Sequence, residues 1–561
     1  MKKKNMANRQ PKLRVIPLGG LNEIGKNMTV IEYGEDMVVI DAGLMFPDDD
    51  SPGVDLLLPD YTYILKNQHK LRGIVITHGH EDHTGALPYL LKDLDNPVPV
   101  LGTKLTLGII QGKLEEHKIK RPKLREIRAG AHANLGAFGF DFIPVNHSIP
   151  DGVAVFIRTP AGNIFHTGDF KLDQTPIDGR RTDYAAICKA SKQGVLLLMS
   201  DSTNAERSGT TASESIVGGA LRDIFEKADQ RIIVASFASH IHRVQQVCDA
   251  AVGAGRKVVV TGRSMVNNTK IARELGYLNI ADENIVDAYD MGDLPADKVV
   301  VLSTGSQGEP LSALARMANA DHKTVEIQSG DTVVISATPV PGNEKAVSRV
   351  MNRLYKLGAN VITKDSAKVH VSGHAAAEEL KLMLNLVQPK YFVPIHGEAR
   401  HLHAHSLLAK AVGIPQENIF IMENGACLEF SENGARIAEH VQSGVVYVDG
   451  LSVGDLGQVV LRDRQVLASD GIALVIVAID TQTGAVTRDA ELVVRGLVMG
   501  SSGDAVLNEA RARMAKVLAR TAREGVTDHS IIKKALRDSL SQFIWERTRT
   551  RPMIIPVVME V

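Results

Sequence analysis

Between Gly73 and Gly85 the chain reads GIVITHGHEDHTG, which places His78, His80, Asp82 and His83 within six residues. Three imidazoles and one carboxylate offer borderline nitrogen and hard oxygen donors, a mixture suited to zinc or manganese. The one-residue gaps let alternating side chains point at one centre or at two adjacent ones. The apolar run GIVIT in front reads as a buried parallel strand. It delivers the donors into the loop at its carboxyl end, where open α/β layers carry their active sites. A solvated polar loop after a core strand is the plainer reading, but so dense a set of donors favours a metal site.

More donors stand at the ends of other β-rich runs. Asp41 closes DMVVIDAG and suits either a turn or a carboxylate that orients a metal-bound imidazole. His147 ends FGFDFIPVNHS, and Asp169 closes the hairpin that runs from VAVFIRT to NIFHTGDF. Asp201 ends VLLLMSDSTN, where an Asx turn and a functional carboxylate are equal readings. Independent strand ends bearing donors in this order are what a two-metal site in a layered sandwich needs: about three protein ligands per ion, a bridging carboxylate and a position open to water. The glycine-rich GGLNEIGKN, residues 19–27, reads more simply as a turn than as a ligand loop.

The elements that must position these donors have their own signatures. LRVIPLGG, NMTVIEYG and DMVVIDAG open the fold as a meander, while ALPYLLKDL and KLTLGIIQGKLEEH have helical spacing. From about Ser213 to Val369 the pattern changes to repeated βα units, read as a parallel sheet with helices between its strands. Turns there such as TGRS and TGSQGEP set backbone N–H groups near helix starts, a generic way to hold phosphate. HLHAHSLLAKAVG reads as a helix whose His401, His403 and His405 lie at the surface or behind the site and do not ligate. From about Val466 two strands, two helices and the final MIIPVVMEV make a small α+β domain.

Composition sets wider limits. A chain of 561 residues is too long for one core and suggests about three or four folding units. Hydrophobic content of 44% with 23% charged residues is that of a soluble globular protein. Cys188, Cys248 and Cys427 lie far apart with no CxxC pair, which indicates neither a disulfide framework nor a thiolate metal site and fits a reducing, cytoplasmic setting. The basic start MKKKNMANRQPKLR has no apolar segment behind it, and no window approaches a membrane span. With 64 basic and 65 acidic residues the net charge is −1, so a polyanion would have to be held by local clusters and metals.

Taken together, Asp41, His78-x-His80-x-Asp82-His83, His147 and Asp169 resemble the ordered motifs of the metallo-β-lactamase superfamily. Asp201 in SDSTN, His374 in HVSGHA and His396 in PIHGE match the further motifs of its nucleic-acid-processing β-CASP group. With GGLNEIGKN, FASHIHRVQQV, TGSQGEP, PIHGEARH and RPMIIPVVMEV, the chain from about Leu13 to Val561 resembles the bacterial ribonuclease J family. His240 is a local departure, since some relatives carry Asn there.

The resemblance implies an α/β fold: a metallo-β-lactamase αββα sandwich from residues 1–212 and 370–450, an inserted β-CASP parallel-sheet domain at 213–369, a linker at 451–465 and a C-terminal α+β domain at 466–561. It implies a metal-dependent 5′-to-3′ exoribonuclease with endoribonuclease activity, acting in mRNA decay and rRNA maturation. Two Zn2+ per subunit, or Mn2+ or Mg2+, would be held by His78, His80 and His147 and by Asp82, His83 and His396, with Asp169 between them. His374 would be the acid, tuned by Asp201, with Asp41 behind the metal ligands. His370, Val371, Ser372, Gly373 and His374 would line the scissile phosphate, and Ser239 and His240 would meet the 5′ monophosphate of RNA. Less directly, a structural Ca2+ would be held by Asp449 with the backbone near Pro52 and Val54. Homodimers or homotetramers, an RNA helicase partner in a degradation complex, and no membrane association complete the expectation. Two rival readings have distinct marks: a small-molecule hydrolase needs no inserted βα domain, and a noncatalytic RNA scaffold is expected to lack part of the donor set.

Overall fold

The computed structural model describes residues 11–47, 51–309, 311–340, 342–450, 452–454, 457–480, 482–483, 485–497 and 503–561. The chain divides into two compact units, Met1–Phe46 with Leu56–Val446, and Pro47–Asp55 with Tyr447–Val561.

The larger unit contains two sheets packed face to face. One joins the antiparallel strands Leu13–Gly19, Met28–Tyr33 and Asp36–Ile40 to the parallel strands Leu71–Val75, Pro99–Gly102 and Lys123–Glu126. The other runs from His132–Leu135 through Phe138–Pro144, Val153–Thr159, Gly162–His166 and Leu197–Asp201 to Tyr391–Ile395. Period-two alternation decides which side chains meet between the sheets. Phe138, Phe140 and Phe142 point inward against Val15, Ile31, Val38 and Val75, and burial of each ring contributes about 1.5–3 kcal/mol. On the outer face of the second sheet, Phe156, Phe165, Leu198 and Phe392 pack on the helices Tyr184–Lys192, Ala377–Val387 and Ala399–Ala411. On the other side the helix Lys104–Glu116 lies against the strands Pro99–Gly102 and Lys123–Glu126. The result is an αββα sandwich.

Residues 213–369 contain a third, wholly parallel sheet in the order Ile285–Val286, Lys257–Val260, Val299–Ser303, Ile232–Ala235, Thr332–Ile335, Asn360–Ile362. Its strands are nearly unbroken Val and Ile because both faces are covered. Ile232, Val234, Val300 and Val334 meet Leu221, Val244 and Val247, while Ile233, Val301, Val333 and Ile335 meet Leu314, Met317, Val350 and Leu354.

The smaller unit has a three-stranded sheet, Val486–Arg495, Ile472–Ile479, Met553–Glu560, with the helices Gly503–Arg523 and His529–Thr548 on one face. Where the sequence suggests a linker at 451–465, a helix occupies Gly457–Ser469. The run GQVVLRDRQVLAS contains no proline, and its only glycine is at its start, so nothing interrupts the helix. Among the described residues no helix is long and apolar enough to cross a membrane.

Candidate metal centre

The strand Leu71–Val75 ends below Thr77, and the chain turns through His78 and His80 into a single helical turn, Glu81–Thr84. That turn brings Asp82 and His83 back under the same strand end. His147 follows the strand Phe138–Pro144, Asp169 follows Gly162–His166, and His396 follows Tyr391–Ile395. Three groups of donors result among the described residues, each with its ligand atoms within 4.8 Å of one another: His78, His80, His147 and Asp169; Asp82, His83, Asp169 and His396; and Asp169, Asp201, His374 and His396. In the first, His80 Nδ1 lies 3.1 Å from both His78 Nε2 and His147 Nε2. In the second, Asp82 Oδ2 lies 3.1 Å from His396 Nε2 and 3.7 Å from His83 Nε2. Asp169 belongs to all three groups: its Oδ2 is 3.6, 3.7 and 3.2 Å from the Nε2 atoms of His78, His147 and His83. That oxygen is buried and takes no hydrogen bond of good geometry. A buried carboxylate lobe facing three imidazoles without a hydrogen is a poor resting arrangement unless a cation completes it, so the donor set fits divalent metal.

The residues behind the donors determine how they point. Asp41 sits at φ 61° and accepts from Thr77 N at 2.8 Å, Thr77 Oγ1 at 2.9 Å and His83 Nδ1 at 2.8 Å. Of the two readings left open for Asp41, a turn former or a carboxylate orienting an imidazole, its place beneath His83 is that of the second. An imidazole whose Nδ1–H is held this way presents Nε2 as a donor atom. His147 Nδ1 donates to Gly373 O at 2.8 Å. Gly373 must be glycine for that approach, since a Cβ there would come within 2.8 Å of His147 Cε1. His396 has the strained φ of 53°, and its N–H donates to Gly20 O at 2.8 Å. The loop GGLNEIGKN is thus more than the turn it resembles in sequence. Leu21–Asn22 pair in parallel with Gly397–Glu398, and Asn27 Nδ2 donates to Asp82 O at 3.1 Å, so the loop braces two ligand segments.

Charge is balanced within the cluster. Burial and neighbouring imidazoles hold His78 and His147 well below the ordinary value, and burial pushes His80 down to about 4. Burial also acts on His83 and His396, but Asp169 with Asp82, Asp41 and Asp201 outweighs it, lifting His83 well up and His396 to about 10. Burial would raise Asp82, Asp169 and Asp201, yet the surrounding imidazoles hold all three below the usual carboxylate range. Anionic carboxylates amid buried imidazoles form the electrostatic complement of a dication.

His374 and Asp201 stand beside this cluster, with His374 Nδ1 2.8 Å from Asp201 Oδ2. Burial opposes the charged imidazole, but Asp201 keeps His374 raised. Ser372 Oγ accepts from Asn204 Nδ2 at 2.8 Å, and Val371 is buried. Ser239 is half-buried. His240 is 2% exposed, its Nε2 lies 3.5 Å from Glu214 Oε1, and the fully buried Arg243 binds Glu214 beside it. His240 Nε2 is buried and has no hydrogen-bond partner among the described residues. His370 is pushed to about 3 by burial and Arg243. The helix Ala399–Ala411 leaves His403 exposed but buries His401 and His405, and His405 Nδ1 is 3.0 Å from Ser202 Oγ. In the smaller unit, Arg464 binds the Asp449 carboxylate and its Nη1 donates to Pro52 O at 3.3 Å. A guanidinium therefore occupies acceptors expected to face Ca2+, and with Val54 contributing only backbone, that set does not fit a second cation.

Thr77, Asn27, Thr203 and Asn204 were not singled out in the sequence. The only signal for the last two is their adjacency to Asp201.

Successive parts of the chain match four families: the metallo-beta-lactamase superfamily at residues 21–207, the ribonuclease J beta-CASP domain at 229–354, a Zn-dependent metallo-hydrolase RNA specificity domain at 359–422 and the ribonuclease J C-terminal domain at 459–561. Ribonuclease J2 of Bacillus subtilis is 42% identical over 562 aligned positions, covering 100% of each chain. Ribonuclease J of Mycolicibacterium smegmatis is 43% identical, covering 98% of this chain and 97% of that one, and that of Thermus thermophilus is 44% identical, covering 98% and 96%. A solved protein of unknown function from Enterococcus faecalis V583 superposes with a TM-score of 0.53 and 17% identity over 74% of this chain and 100% of its own, a likeness of fold alone.

Proposed function

We propose a mechanism from one premise: the chain belongs to the ribonuclease J family and is a metal-dependent ribonuclease. His78, His80 and His147 would hold one divalent cation and Asp82, His83 and His396 a second, with Asp169 shared. Zn2+ suits this nitrogen-rich set best, with Mn2+ or Mg2+ as substitutes. When bound, the pair supplies Lewis acidity that lowers the pKa of water and offsets charge on the phosphate.

The protein's own groups do the rest. His374 is held by Asp201 through Nδ1, which leaves Nε2 to give a proton to the departing 3′-oxygen. Ser372, with the backbone from His370 to Gly373, lines the phosphate beside it, and Ser239 is the side chain available to a 5′ monophosphate. Stepwise 5′-to-3′ removal follows if that end is seated, and an internal cut uses the same groups with RNA threaded further. The molecule would act in the cytoplasm as a homodimer or homotetramer, and a helicase partner rests on family resemblance alone.

The observation that carries this reading is Asp169, shared by all three donor groups, the two assigned to cations among them. Its test is hydrolysis of RNA labelled at the 5′ end or internally, before and after chelation and on adding back Zn2+ or Mn2+. Release of 5′ mononucleotides that stops with chelator is expected. Cleavage that persists undiminished in a chelated Asp169→Asn variant would refute the metal mechanism.

A further inference from the structure

Thr203 has no part in the chemistry above, yet its hydroxyl touches three groups of the site. Oγ1 lies 2.8 Å from Asp201 Oδ1, 2.7 Å from His396 Nδ1 and 3.1 Å from His396 O. The Thr203 N–H donates to the same Asp201 oxygen at 2.9 Å. By contrast, the direct approach of His396 Nδ1 to Asp201 Oδ1 is 3.4 Å, long for a hydrogen bond.

A hydroxyl carries one hydrogen and two lone pairs, so its contacts can be assigned by counting. Neither Asp201 Oδ1 nor the His396 carbonyl has a hydrogen to give, so the hydroxyl's one hydrogen goes to an oxygen, and the nearer, charged Asp201 takes it. Oγ1 then meets His396 Nδ1 as an acceptor, and Nδ1 must carry the ring hydrogen. His396 Nε2 faces Asp82 Oδ2 at 3.1 Å and donates there in the doubly protonated ring, so the hydrogen that a cation would displace is the one on Nε2, while the one on Nδ1 stays on Thr203. The opposite tautomer would turn an N–H toward the donor group and remove a ligand from it. The other lobe of Asp201 accepts from His374 Nδ1 at 2.8 Å. One carboxylate therefore ends two chains, one directly from the acid and one through Thr203 from a ligand.

We propose that Thr203 is a positioning residue that selects the metal-binding tautomer of His396 and ties the second cation position to the carboxylate orienting His374. The inference rests on the two-cation reading. Outer partners of metal-bound imidazoles are commonly worth about 10–100-fold in affinity or activity.

The experiment compares the full-length chain with Thr203→Val, which removes the hydroxyl, and Thr203→Ser, which removes only the methyl. Apo-protein is titrated with Zn2+ against a chromophoric chelator, and kcat and KM are measured on a 5′-monophosphorylated oligonucleotide. Thr203→Val should keep the first equivalent of Zn2+ within about twofold and bind the second about 10–100-fold more weakly. Its kcat should fall by a similar factor with KM nearly unchanged, and Thr203→Ser should restore both. Two equivalents bound by Thr203→Val at the unsubstituted affinities would overturn the proposal. So would equal impairment of Thr203→Ser, which remains decisive if the valine variant folds poorly, because it would assign the effect to packing. Fewer than two equivalents in the unsubstituted chain would instead bring down the two-cation reading, and this inference with it.

Discussion

Gly373 and His374 are neighbours in HVSGHA and serve the cleft in different ways. Gly373 lets the main chain approach close enough for its carbonyl to hold His147 Nδ1 at 2.8 Å. Gly373→Ala would press a Cβ into the His147 ring and turn that ligand away. Zn2+ titration should then show one of two equivalents weakened by about 10–100-fold while the melting temperature changes little; unaltered binding would mean the ring has room to yield. In the proposed mechanism His374 contributes a proton and not a ligand position. His374→Ala should reduce kcat by about 10²–10⁴-fold and leave both Zn2+ equivalents and RNA affinity near their original values. A parallel loss of RNA affinity would make His374 a binding group.

At the scale of elements, the cleft is assembled from loops that cannot hold themselves in place. Glu379, buried on the helix Ala377–Val387, accepts backbone N–H groups from Leu172 at 2.8 Å, Thr211 at 2.6 Å and Ala376 at 2.9 Å. One carboxylate thus fastens the segments that follow Asp169, Asp201 and His374. Glu379→Ala would leave three buried donors unpaired, an expected cost of about 3–5 kcal/mol, read as a lower melting temperature together with lost hydrolysis. Arg464 makes a comparable claim in the smaller unit. With its guanidinium on Asp449 and Pro52 O, neither Ca2+ nor a Ca2+ chelator should shift the melting temperature, and a rise of several degrees on adding Ca2+ would show that the guanidinium yields to the ion.

The same residues show why legibility was uneven. Donors at strand ends stood out because apolar runs of period two end abruptly on His or Asp, and few plain loops do so. Asp201, His374 and His396 carried little signal of their own and became legible only through family motifs. Thr203, Asn204 and Glu379 gave no local sign, because Ser, Thr, Asn and Glu fill turns and helix faces everywhere and their partners lie far along the chain. The inward placement of His240 gave no local sign either, because Glu214 and Arg243, which surround its ring, are set there by the fold.

For the whole molecule, the sheet of the smaller unit leaves apolar side chains exposed along its edge strand. Along Met553–Glu560, Ile554 and Val558 point into the helical core, while Ile555, Val557 and Met559 are exposed. The parallel register sets Ile555 beside Leu474 and Val557 beside Ile476, so the outward residues form a continuous apolar strip. Such a strip in water costs free energy that a partner can recover, and two-fold pairing of identical strips is the simplest closed arrangement. The strip is a candidate surface for the homo-oligomer that the family resemblance implies. Ile555→Lys with Val557→Lys places two charges on that strip without touching the helix-side core. Sedimentation velocity at micromolar concentration should show the unsubstituted chain as a dimer or larger and the double variant as smaller and still folded. If the unsubstituted chain sediments as a monomer, or the variant keeps its size, the strip is not the contact. Because both side chains point away from the helical core, a folded variant that has come apart would also show whether RNA hydrolysis needs the assembly or belongs to each chain separately.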